Sequence, residues 1–166
     1  MIILGIDPGL AIVGWGVIEH RASKFRTIAY GSIQTPAGMD TAQRLLTIHQ
    51  DLTAIIKKYQ PQQMAVEELF FNTNITTGIR VAEARGVIIM TGEQYGIPMA
   101  EYTPLQVKQA VVGYGRAEKK QVIEMVTRIL NLPKPPKPDD TADALAIAIC
   151  HAHSGCSRLA DYYNQP

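Results

Sequence analysis

The chain holds two cysteines in 166 residues, Cys150 and Cys156, with no CxxC pair. That number and spacing exclude a disulfide framework and fit a reduced, cytoplasmic setting. No run of about 18 apolar residues occurs, so no membrane-spanning helix and no membrane partner are expected. The N-terminus lacks a basic n-region, and Asp7 interrupts its apolar stretch, which argues against a signal peptide. An excess of one charge is missing too: 16 Lys+Arg against 15 Asp+Glu leaves a net +1, so the whole chain does not announce a nucleic-acid partner. Hydrophobic residues at 46% and charged residues at 19% are globular proportions, and this length suits one domain with one sizeable core.

Charge is unevenly spread. Residues 101–138 carry seven Lys or Arg against three Glu, a net +4, and three Asp follow within the next five residues. Apolar patterning places strands at 2–6 and 10–18, joined at Asp7-Pro8-Gly9, and a third near 25–34. Their closeness in the chain predicts antiparallel hairpins. Leu45, Leu46, Ile48, Leu52, Ile55 and Ile56 mark a helix over 41–59. A strand at 63–70, a small-residue-rich helix at 77–95 and a short strand at 98–102 follow. Helices are predicted at 105–112, 117–130 and 140–153, the last after the stiff connector LPKPPKP. The expected fold is α/β: a mixed five-stranded sheet, three strands antiparallel and two in parallel crossovers, with helices on both faces.

Four acids stand out. Asp7 ends the first strand, Glu67 lies in the apolar run MAVEELF, and Asp140 and Asp143 open the last helix three residues apart, on one face. If the first and fourth strands are neighbours, Asp7 and Glu67 meet beneath that helix terminus. Clustered carboxylates raise one another's pKa unless a cation joins them. Hard divalent ions take oxygen ligands, and a pair of them supports phosphodiester cleavage. Each acid also has a purely structural explanation. Asp7 can open a turn, Asp139 or Asp140 can cap a helix, and Glu67 or Glu68 can face outward from an edge strand.

The blocks GIDPGLAIVGWGVIE, AVEELFFN, ARGVIIMTG, QVKQAVVGYGRAEKKQV and DDTADALAIAICH occur in that order over residues 1–153. Together they resemble the RuvC family of bacterial Holliday junction resolvases. The resemblance implies a ribonuclease-H-like nuclease domain over 1–153, with a flexible tail at 154–166. It also implies a homodimer that makes two symmetric nicks in four-way junction DNA during recombination and repair. Catalytic and metal-holding roles fall on Asp7, Glu67, Asp140 and Asp143, with two Mg²⁺ per site (Mn²⁺ as a substitute). Some relatives carry His where this chain has Asp140; Asp139 is then a cap or a supporting neighbour. The branch-migration proteins RuvA and RuvB are the implied partners.

The resemblance assigns DNA contacts to Lys108, Lys119 and Phe70. Lysines suit phosphate oxygens, and an exposed aromatic suits an unpaired base. Lys119 and Lys120 would otherwise be read as a solvated helix face. Arg116, in the Gly113–Arg116 turn, is a fourth candidate, and Phe71 and the polar run 72–74 adjoin Phe70. In CHAHSGC, Cys150 is expected to pack while His151 and His153 decorate a helix end; the spacing is not that of a zinc site. The helix at 77–95, with Ala82, Ala84 and Gly86, is the candidate dimer interface. GIDPG also resembles the phosphate loop of actin-like sugar kinases and chaperone ATPases, but those need two such domains. A small nuclease that matures ribosomal RNA shares the opening without the AEKK and DDTADALAIA blocks, and a non-catalytic junction binder would lack some of the acids.

Overall fold

The computed structural model describes residues 1–68 and 75–155. Alternation along β1 (Ile2–Asp7) sends Ile3, Gly5 and Asp7 to one face of the sheet and Leu4 and Ile6 to the other. β1 pairs antiparallel with β2 (Ile12–Arg21), which pairs antiparallel with β3 (Lys24–Gln34). On its other side β1 pairs in parallel with β4 (Gln63–Glu67), and β4 in parallel with β5 (Met99–Tyr102). The sheet order is therefore β3-β2-β1-β4-β5, the mixed arrangement expected from sequence.

Two separate cores cover the faces. On one, α1 (Thr41–Tyr59) and α2 (Ile75–Gln94) pack over Leu4, Ile6, Met64 and Val66. On the other, α3 (Pro104–Val112), α4 (Lys119–Ile129) and α5 (Asp139–Gly155) pack over Ile3, Ile18 and Ala65. α1 buries Arg44, Ile48, Leu52, Ile55 and Ile56, whereas Leu46 is 54% exposed, so it does not join the apolar stripe assigned to it. Of the small residues on α2, Ala84 is fully buried in the core and Gly86 is exposed.

Short local signals set the helix starts. Thr103 caps α3: its hydroxyl accepts from the Gln106 N–H, the Gln106 side chain accepts from the Thr103 N–H, and Pro104 stands at the first helical position. Gln121 accepts from the Glu118 N–H at 2.8 Å, which makes Lys119 the first residue of α4.

α5 lies unusually close to the sheet because glycine faces it. A Cβ on Gly5 would stand 2.8 Å from the Ala148 backbone nitrogen and closer still to the Ala144 carbonyl. A Cβ on Gly14 would collide with the Asp140 carbonyl oxygen. Ala144 and Ala148, which meet Gly5, are both fully buried.

α5 extends to Gly155, so His151 and His153 lie within the helix. His151 is 7% exposed, not a surface decoration. Its Nε2 donates to the Gln63 side-chain oxygen, leaving Nδ1 to accept from the Tyr102 hydroxyl at 2.8 Å. Burial lowers its pKa, which keeps the ring neutral. His153 is exposed and stacks edge-on against Phe25, 5.4 Å between ring centres. Cys150 packs in the core as expected, and burial pushes its thiol up to about 11.

Candidate active site

Strand register brings the predicted acids together. Asp7 is the cross-strand partner of Gly14, and the start of α5 rests on Gly14 through the Asp140 backbone. Asp140 therefore sits beside Asp7. Ile6 pairs with Val66, so Glu67 leaves β4 one residue later, next to Asp7 and on the same face as Ala65. Asp143 follows Asp140 by one helical turn. Three elements thus deliver four carboxylates to one end of the sheet.

Their electrostatics reflect this crowding. Burial pushes the Asp7 carboxyl well above its ordinary value, and the charges of Glu67, Asp143 and Asp140 push it further. Burial, then the charge of Asp143, raises Glu67 from 4.5 to about 7, while Lys119 and Lys108 oppose that rise. Asp143 is raised by burial against the pull of Lys119. The Lys119 ammonium lies 2.9 Å from the Asp143 carboxylate and 3.9 Å from that of Asp139. Burial pulls the Lys119 pKa down, but the hydrogen bond to Asp143 and the surrounding carboxylates raise it overall. A cation is thus already drawn to these acids. Among the described residues, no three His, Cys, Asp or Glu side chains stand in ready metal-holding geometry.

Two cavities flank the acids. One, of about 180 Å³, is lined by Glu67, Asp143, Lys108, Lys119 and the apolar floor of Val107, Val122 and Ile147. The other, of about 680 Å³, opens from Asp7 and Asp140 and runs along the β1–β2 turn to Arg44 and Arg80. Lys108 and Lys119 therefore lie beside Glu67 and Asp143. Arg116 is exposed between α3 and α4 and lines neither cavity. Phe70, Phe71 and the run 72–74 lie outside the described residues. Arg44 and Arg80 were missed in the sequence. For Arg44 a signal was available: it precedes Ile48, Leu52 and Ile55 at helical spacing, a charge placed on a core stripe.

This strand order, with helices on both faces and acids at the ends of β1 and β4 and the start of α5, is the ribonuclease-H-like fold. The family model described as crossover junction endodeoxyribonuclease RuvC matches residues 3–151. A crossover junction endodeoxyribonuclease RuvC from Halothermothrix orenii is 60% identical over 154 residues, covering 93% of this chain and 93% of the relative. Thermus thermophilus RuvC superposes with a TM-score of 0.85 at 35% identity, covering 93% of this chain and 95% of that one. The T. thermophilus protein in complex with a Holliday junction substrate gives 0.87 at 37% identity, covering 92% and 93%. The chain belongs to the RuvC family.

Proposed function

We propose that this protein is a structure-selective endonuclease that resolves four-way DNA junctions by two symmetric nicks, in recombination and repair. Asp7, Glu67, Asp140 and Asp143 are its catalytic and metal-holding acids. The observation that carries this reading is the meeting of four carboxylates from three elements, with three of them raised in pKa and a lysine drawn in among them. Such a set repels itself until a divalent cation binds, and its donors are all oxygen, which suits Mg²⁺ or Mn²⁺ rather than a soft metal. The protein's proposed place of action is the cytoplasm, where the DNA is; no helix among the described residues is long and apolar enough to cross a membrane.

Asp7, Glu67, Asp140 and Asp143 would hold two Mg²⁺ ions, which supply neutralisation of phosphate charge and acidification of the attacking water. Asp7 sits at the end of a buried strand, so its carboxylate enters a fixed position at little entropic cost. Lys119, released from Asp143, is left within reach of the phosphate, where a cation stabilises charge developing on the non-bridging oxygens. Lys108 shares its cavity and steadies the same strand. The apolar floor beneath them limits water and strengthens both interactions.

A junction has near two-fold symmetry, so two nicks require a two-fold dimer. The outward stripe of α2, with Ile79 and Met90 each 52% exposed and Gly86 between them, is the proposed interface. By the family reading, RuvA and RuvB are partners.

The test is a labelled mobile junction incubated with Mg²⁺. Wild type makes paired nicks; Asp7→Asn binds the junction without nicking it. Equal cleavage by both would sink the site assignment. Cleavage of linear duplex or RNA as readily as the junction would sink the resolvase assignment.

A further inference from the structure

Arg44 is 7% exposed, yet among the described residues no carboxylate pairs with it. Its Nε donates to the Thr35 hydroxyl at 2.7 Å and one terminal nitrogen to the Thr35 carbonyl at 3.3 Å. The Thr35 hydroxyl in turn donates to the Leu10 carbonyl in the β1–β2 turn. Those bonds leave at least three of the five guanidinium N–H groups without a partner among the described residues. A brace for the turn needs only neutral donors. The remaining N–H groups of a guanidinium held in place by Thr35 are donors ready for an anion that enters beside them.

The anion has room. Arg44 lines the 680 Å³ cavity, and Arg80 reaches the same cavity from α2, also without a carboxylate partner among the described residues. Two like charges sharing one cavity repel unless something negative sits between them. Asp7 and Asp140 line the other end of that cavity, and among the described residues no ion pair joins either of them to Arg44 or Arg80. The four acids thus stand between two cation-lined cavities, Lys108 and Lys119 on one side and Arg44 and Arg80 on the other.

We propose that Arg44 and Arg80 form a second phosphate site, which grips a phosphodiester of the bound DNA strand away from the bond being cut. Arginine presents a planar fork that matches phosphate oxygens two at a time, and Thr35 fixes the fork of Arg44 in advance. The strand then lies across the acids under tension from both sides, which sets the scissile phosphate between them. This proposal rests on the nuclease function proposed above and extends the substrate path.

The experiment uses a fluorescein-labelled immobile four-way junction, the full-length chain and EDTA, with anisotropy read across a range of NaCl. Arg80→Gln is the primary variant, because Arg80 is exposed and its loss spares the core. Arg44→Gln is the second. Arg21→Gln is the control, on the β2–β3 turn at the opposite end of the sheet from Asp7. Arg80→Gln and Arg44→Gln are each expected to weaken binding about tenfold and to flatten the slope of log affinity against log salt by about 1, with Arg21→Gln near wild type. Wild-type affinity and slope in Arg80→Gln would overturn the proposal. So would a loss confined to Arg44→Gln and matched by a lower Tm, which marks a brace and nothing more. A wild-type protein that neither binds nor nicks the junction would instead defeat the nuclease reading itself.

Discussion

Gly14→Ala tests whether close packing of α5 on the sheet is what assembles the acids. The added Cβ would stand well under 3.0 Å from the Asp140 carbonyl oxygen and 3.1 Å from its Cβ, whereas ordinary contact needs 3.4–4 Å. Backbone stands on both sides of the clash, so no side chain can swing aside. Strand and helix must part by about 1 Å, which costs about 1–3 kcal/mol as overpacking. The same displacement carries Asp140 and Asp143 away from Asp7 and Glu67, and a misplacement of about 1 Å in a catalytic group costs on the order of 10² in rate. Single-turnover nicking of a labelled junction with Mg²⁺, alongside thermal unfolding, reads both effects. Gly38→Ala is the control, since a Cβ there meets nothing within 4 Å. A Gly14→Ala protein that nicks at the wild-type rate with an unchanged Tm would refute the close-approach account. A lower Tm with full activity per folded molecule would refute the link from packing to catalysis.

Three further outcomes are expected. Glu67 is raised from 4.5 to about 7, and Asp7 and Asp143 are raised too, so the metal-free folded protein binds more protons than the unfolded chain between about pH 4.5 and 7. Its stability then falls as pH rises through that window, by about 3 kcal/mol for Glu67 alone. Mg²⁺ needs the ionised acids, so the rise in Tm on adding it will be larger at pH 8 than at pH 6; a rise independent of pH would contradict this. Lys119→Ala will slow nicking by roughly 10²-fold while junction affinity weakens by less than about tenfold, measured by single-turnover rates and anisotropy; equal losses in both would make Lys119 a binding group only. Tyr102→Phe removes the partner of the buried His151 Nδ1 and will cost about 1–3 kcal/mol in denaturant unfolding with nicking preserved, whereas unchanged stability would show that His151 does not depend on that bond.

Much of this protein is legible along the chain. Alternation in IILGID, helical spacing after Thr41 and the proline-rich connector before Asp139 locate elements because each reflects a local preference, and three hairpin-linked strands followed by crossovers leave few topologies. The acids could be singled out because a charge in or beside an apolar strand is costly and asks for a reason. Motif resemblance did the rest. Where local pattern misled, tertiary contact was the cause. Leu46 keeps helical spacing but points to water, and His151, expected at the surface, is enclosed because β4 and β5 supply Gln63 and Tyr102 as partners.

By itself the sequence determined the elements, the family and the four candidate acids, since these depend on residue type and order. Only the tertiary structure decided how they meet. Gly14 and Asp140 are far apart in the chain, and nothing local says that one is small so that the other can approach. Nothing local says that Thr35 secures Arg44, or that Arg80 turns to the same cavity. Those relations follow from strand register and from a helix laid on glycine, which come into being when the chain closes on itself.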